Sequence, residues 1–187
     1  VVDINDPERH ECHLGPLSFV QQAEIIESHL KDAEENGSEI LGVGLIEQHG
    51  GGLWVLPTVL KNVDHTMLVM NDETFGPIIP IMTYTDVNDA IDLANDTQYG
   101  LSAAVLAGDR VEAERIAMHL DAGAISIQDC GITAYVFDGE KNWFKNSGTG
   151  ASRMGQMGMV RFFRKKVLYT QSGATQGIDA MGEQKPS

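Results

Sequence analysis

The second half of the chain alternates between two periods, and that alternation restricts the possible folds more than any other feature. Residues 78–84 form an apolar, branched and aromatic run, and 86–95 carry helical spacing. A second apolar run covers 101–107, a second helical stretch 109–120, and a third short apolar run 124–128. Strand, helix, strand, helix, strand in that order calls for crossover connections, which are right-handed and lay the strands parallel. The expected class is therefore α/β with a parallel sheet. The second helix is marked at both ends, by Asp109 with Glu112 three residues on as a capping box and by Gly123 as a stop. Val111, Ile116 and Leu120, with alanines between them, form its expected apolar stripe.

Upstream, "SFVQQAEIIESHLKDAEENG" pairs Ser18 with Gln21 as a capping box. It repeats Val20, Ala23, Ile26, Leu30 and Ala33 at helical spacing until Gly37 ends the pattern. "EILGVGLI" and "LWVLPTVL" read as strands around the glycine-rich "EQHGGG", and "TMLVM" reads as a further strand. Between Asp129 and Gly158 neither period persists. So long an irregular stretch after a strand is expected to be functional rather than a plain connector. "RFFRKKVLYTQ" is expected to close a helix and form a last strand, and residues 172–187 to be a disordered polar tail.

Composition excludes several partners. Thirteen basic against 27 acidic residues give a net charge of −14, the reverse of a phosphate-binding footprint, so neither nucleic acid nor an anionic membrane surface is expected as a partner. No apolar run approaches the roughly 20 residues that span a bilayer. Two cysteines, Cys12 and Cys130, are too few for a disulfide framework, which fits a reducing, cytoplasmic setting.

Several motifs must be weighed against plainer readings. His10, Cys12 and His13 could ligate a metal, but no second ligand pair follows at usable spacing, and no metal is expected. "HGGG" at 49–52 has the pattern of an oxyanion loop. A hydrolase would also need a GxSxG elbow, and "GASRM" at 150–154 lacks its second glycine. Neither a GxGxxG nor a GxxxxGK string occurs. Cys130 directly follows a strand, where α/β folds keep their chemistry, yet no nearby histidine could activate it, and a spectator thiol is the expectation.

One further stretch, "NDETFGPIIP", sets Glu73 and Phe75 just before the strand at Ile78. On composition alone the acid would be solvated and the ring would plug the core. However, "ETFGP" resembles the ExFGP motif of the NAD(P)-dependent aldehyde dehydrogenase superfamily, and the similarity continues on both sides. "NDP", "GPL" and "LPTVL" precede it in that family's order. "DAIDLANDTQYGLSAAVLAGD", "LDAGAISI" and "FKNSGTG" follow, similar to the EAIxxANxxxYGLxAxVF, LxxGxVxV and YKxSGxG segments.

The resemblance, from about Asp6 to Gln171, implies a three-layer α/β/α catalytic domain represented by its carboxyl-terminal part. It also implies an aldehyde substrate, NAD or NADP as cofactor, and a homo-oligomer when intact. By the same resemblance Glu73 binds the ribose hydroxyls on the nicotinamide side and Phe75 packs beside them, an arrangement expected to face the carboxyl rim of the parallel sheet. The family's nucleophile and base belong to GQxC-type and ELGGK-type segments. Neither string occurs here, so no catalytic residue is assigned in this chain, which is expected to be inactive alone. A non-catalytic binding or assembly module of the same fold is the alternative. Three departures from the family pattern stand out: "ASRMG" after Gly150, Gln128 in place of the asparagine that ends GxVxVN, and the stretch 129–144, which leaves the aldehyde unread.

Overall fold

The computed structural model describes residues 14–42, 46–151, 154–155 and 157–173. Two helix-over-sheet units follow one another along the chain. In the first, α1 (Gln21–Glu35) covers a three-stranded sheet of β1 (Glu39–Leu41), β4 (Thr58–Lys61) and β5 (Ile78–Ile81), with the β2–β3 hairpin (Ile46–His49, Gly52–Val55) beside it. β4 is central. It pairs antiparallel with β1 and parallel with β5, with Thr58 opposite Ile78.

Ala23, Ile26, Leu30 and Ala33 of the predicted stripe are buried on α1, and the last three share a core with Val55, Leu60, Val63, Met67 and Val69. Burying each of the larger side chains contributes about 1.5–3 kcal/mol. Val20 is not part of that face. It occupies the N-cap position of α1 with helical backbone and is exposed, and no side chain caps the helix, because Ser18 lies two residues too early. "TMLVM" departs from its predicted strand and contains the short helix α2 (Leu68–Asn71). A run this short has no period to separate helix from strand. The choice is made by Asp32 on α1, whose Oδ2 accepts the Leu68 N–H at 2.8 Å.

The second unit begins with α3 (Val87–Asn95), which Asp86 caps by accepting the Asn88 N–H at 2.8 Å. β6 (Tyr99–Gly100) and β7 (Ala103–Val105) lead to α4 (Arg110–Ala117), which returns the chain to β8 (Ile125–Ile127), parallel to β7. Asp109 caps α4 through the Glu112 N–H at 2.9 Å, as the sequence indicates. The buried face keeps most of the expected stripe: Ala113 and Ala117 are buried against Val105 with Ile116 and Leu120 beside them, while Val111 departs from it and is 76% exposed. Alanines let the helix lie close to the two strands. Among the described residues β5 shares no ladder with β7, so the parallel pairing is divided between two sheets.

A 3-10 turn (Ile132–Ala134) interrupts the irregular stretch after β8 before β9 (Phe144–Lys145) pairs antiparallel with β6, and α5 (Met157–Val160) follows. The predicted last strand is not formed: residues 164–171 join no ladder, and Val167, Leu168 and Tyr169 are exposed. A strand needs a neighbour for its backbone groups. Among the described residues no helix is long and apolar enough to cross a membrane. His10, Cys12, His13 and most of the expected tail lie outside the described residues.

Candidate functional site

The loop between α2 and β5 carries Glu73 and Phe75, and its backbone is fastened from both sides. Thr74 accepts a hydrogen bond at its carbonyl from Gln22 Nε2, and its Oγ1 shares a 3.0 Å hydrogen bond with His29 Nδ1. Gly76 lies so close to α1 that a Cβ there would stand 2.6 Å from Ile26 Cδ1. Beyond it, the Pro77 carbonyl accepts the Thr58 N–H at 2.9 Å and ties the loop to the start of β4.

Between these anchors Phe75 adopts φ of +45°, in the left-handed region that non-glycine residues seldom occupy. Such a conformation costs on the order of 1–3 kcal/mol and persists only where the surroundings over-determine it, commonly at ligand sites. Its ring is 72% exposed, which rules out the core-plug reading, and Glu73 is exposed beside it. The expected carboxyl-rim placement is not met. Because β4 and β5 run parallel from Thr58 and Ile78, a loop entering Ile78 stands at their amino end.

The other candidates separate from this loop. "HGGG" forms the β2–β3 turn: Gly50 and Gly51 have φ of 57° and 82°, the geometry of a tight two-residue hairpin turn. His49 Nε2 lies 2.8 Å from Glu47 Oε2, and its carbonyl accepts the Trp54 indole N–H at 3.1 Å. The glycines therefore serve the hairpin, and no oxyanion loop is formed. Cys130 is exposed at the carboxyl end of β8, on a different element from Glu73 and Phe75. Beside it, Asp129 Oδ1 accepts the N–H groups of Gly131 and Ile132, both at 2.6 Å, and so starts the 3-10 turn. The irregular stretch walls a cavity of about 300 Å³ lined by Ile125, Ile132, Thr133, Val136 and Lys141. Lys141 Nζ donates to the Thr133 carbonyl at 3.0 Å.

Gln128, where the asparagine was expected, has φ of 54° and clamps Ala107 through both amide atoms, accepting its N–H at 2.9 Å and donating to its carbonyl at 2.8 Å. Among the described residues no group of three or more His, Cys, Asp or Glu side chains could hold a metal.

The remaining motifs interlock. Asn95 donates to the His119 carbonyl and accepts the Asp121 N–H, both at 2.8 Å. Lys145 Nζ donates to the Asn95 carbonyl at 2.7 Å, Ser147 Oγ accepts the Gly100 N–H at 2.9 Å, and the Asn146 N–H reaches the Gln98 carbonyl at 2.9 Å. Sequence reasoning missed the roles of Gln22, His29, Thr74 and Asn95. A signal existed for two of them: the spacing 22, 26, 29, 33 puts Gln22 and His29 on the buried face of α1.

A profile described as the Aldehyde dehydrogenase family matches residues 1–168. Among solved structures, PutA from Anabaena variabilis, provisionally named an aldehyde dehydrogenase, is 48% identical with a TM-score of 0.83, over 90% of this chain and 36% of that one. Betaine aldehyde dehydrogenase from Staphylococcus aureus in complex with NAD+ is 29% identical with a TM-score of 0.73, over 82% of this chain and 31% of its own. A curated protein of Staphylococcus saprophyticus, also provisionally named an aldehyde dehydrogenase, is 31% identical over 170 residues, 89% of this chain. The chain spans about a third of that relative's length, 35%.

Proposed function

Because the chain belongs to the aldehyde dehydrogenase family, we propose that it is the part of an NAD(P)+-dependent aldehyde oxidoreductase that receives the nicotinamide end of the cofactor. The observation that carries this reading is the strained, doubly anchored loop that presents Glu73 and Phe75 to solvent. A carboxylate only accepts hydrogen bonds, which suits the two vicinal hydroxyls of a ribose. An exposed ring next to it gives that sugar an apolar wall and limits where the nicotinamide can swing. The residues present therefore fit the group. When bound, the cofactor supplies the hydride acceptor; Glu73 and Phe75 orient it.

The thiol nucleophile and the base that activates water belong to segments this chain does not contain. Cys130 stays outside the proposal, since the loop around it is organised by Asp129 and no activating histidine was found near it in sequence. The cavity after β8 is the place assigned to the aldehyde, whose identity is left open. The same reading carries a homo-oligomeric cytoplasmic enzyme, supported by the family membership and the low cysteine count. A non-catalytic module of the same fold is the second reading; a GQxC cysteine encoded upstream of Val1 would favour the enzyme, and an upstream segment lacking it would favour the module.

The test is Glu73→Gln in the protein as encoded. Losing the charge on one acceptor of a ribose diol should weaken NAD(P)H binding about threefold to twentyfold, since hydrogen bonds to charged groups contribute about 1.5–3 kcal/mol and the amide retains part of that. Unchanged cofactor affinity by fluorescence titration would remove the role from Glu73.

A further inference from the structure

We propose that His29 is a positioning residue for the cofactor loop, acting through the Thr74 hydroxyl to hold Glu73 and Phe75 in their outward orientation. The inference rests on the ribose-contact reading above and extends it to a residue that does not touch the cofactor.

His29 and Gln22 are each only 5% exposed, two helical turns apart on the otherwise apolar inner face of α1. A buried polar side chain is unfavourable unless it is hydrogen-bonded, and an aliphatic residue would fill either position at lower cost. Both polar groups are satisfied by one residue, Thr74, one at its carbonyl and the other at its side chain. Thr74 is the middle residue of Glu73-Thr74-Phe75, so drawing it inward leaves its two neighbours outside.

The left-handed backbone of Phe75 makes this coupling necessary. An unsupported loop would relax towards negative φ and swing the ring away. On the far side the chain is fixed by the Gly76–Ile26 contact and by the Pro77 and Thr58 pairing. On the near side α1 holds Leu68 through Asp32, and within the loop itself, among the described residues, the tie to α1 falls on Thr74. Gln22 holds the carbonyl of the peptide that leads into Phe75, and His29 holds the Thr74 side chain, so that Thr74 is drawn towards α1 at two points.

Thr74→Val tests the link, since it keeps the side-chain shape and removes the hydroxyl; Thr74→Ser is the rescue and His29→Leu the reciprocal change. Two readouts are needed. In the 187-residue chain, backbone order parameters at residues 73–76 should fall from about 0.85 to below 0.6 in Thr74→Val and His29→Leu, and recover in Thr74→Ser. In the protein as encoded, the same two variants should weaken cofactor binding about threefold to tenfold, as the loss of one hydrogen bond implies, while the KM for aldehyde stays within about twofold.

Order and cofactor affinity unchanged in both variants, with Glu73→Gln still weakening binding, would overturn the role of His29 alone. Order lost while Glu73→Gln binds cofactor like the parent would instead overturn the ribose reading, and the positioning role with it.

Discussion

The two helix-over-sheet units share a plan but are secured differently. Beneath α1 the core is made of large aliphatic side chains: Ile26 and Leu60 are fully buried and Met67 nearly so. Beneath α4 the buried residues are Val105 and two alanines, and the unit is tied by polar and backbone links instead. Asn95 bridges two backbone groups after α4, the Gly100 carbonyl accepts the Gly123 N–H at 3.0 Å, and the glycine-rich loop is tied by Ser147 to the same strand and by Lys145 to the end of α3. The contrast separates two uses of a motif. In the first unit apolar packing carries the fold, so "ETFGP" can hold two side chains outside. In the second, the motif residues of "ANDTQYGL" and "FKNSG" are committed to threading the chain. Resemblance there identifies the fold and says little about the site.

The largest expected effect tests the threaded unit. A Cβ on Gly123 would lie 1.5 Å from the Asn142 carbonyl oxygen, a backbone atom that cannot step aside as a side-chain tip can. Gly123→Ala should therefore destabilise by more than about 4 kcal/mol, among the exceptional single substitutions, with hydrogen exchange rising first across residues 95–147. A change below about 1 kcal/mol would show that this close approach does not secure the unit. The packed unit should respond differently. Leu60→Ala empties a fully buried site, and about 2–5 kcal/mol is expected in denaturant unfolding, with residues 95–147 keeping their protection until global unfolding. Equal loss of protection in both units would dissolve the comparison.

What was legible in the sequence follows the same division. Period reads faces and spacing marks ends, so most of the stripe of α1, the cap of α4 and the parallel β7–β8 pair were visible in advance, whereas the cap expected at Ser18 is not formed. Period fails on short runs and at the edge of a face. "TMLVM" became a helix because Asp32, 36 residues away, supplied an acceptor, and Val111, counted in the stripe of α4, lies outside its buried face. "KKVLYTQ" has strand composition but no ladder among the described residues. At the site, Glu73 and Phe75 came from resemblance. Their exposure, the left-handed backbone at Phe75 and the supporting pair on α1 depend on contacts across 45 and 52 residues, which no local pattern encodes.

The smallest effect sharpens the boundary of the packed unit. Asp64 lies at its rim, ahead of α2, and Oδ1 accepts from the Thr66 hydroxyl at 2.5 Å and from the Thr66 N–H at 2.8 Å. The hydroxyl first, then the backbone N–H, hold its carboxyl below the ordinary value of 3.8. A carboxylate whose folded pKa is depressed contributes stability that is present above its ordinary value and is lost as pH falls through the folded one. Asp64→Asn should therefore lower the melting temperature slightly at neutral pH, and the difference from the parent should vanish once the solution is acidified well below 3.8. Because Asp64 is exposed and its bonds reach only Thr66, the turn it stabilises can open without disturbing Met67 and Val69 in the core under α1. Faster hydrogen exchange confined to residues 64–66 is the expected signature, whereas faster exchange spreading to residues 95–147 would mean that the two units are one cooperative body despite their different construction.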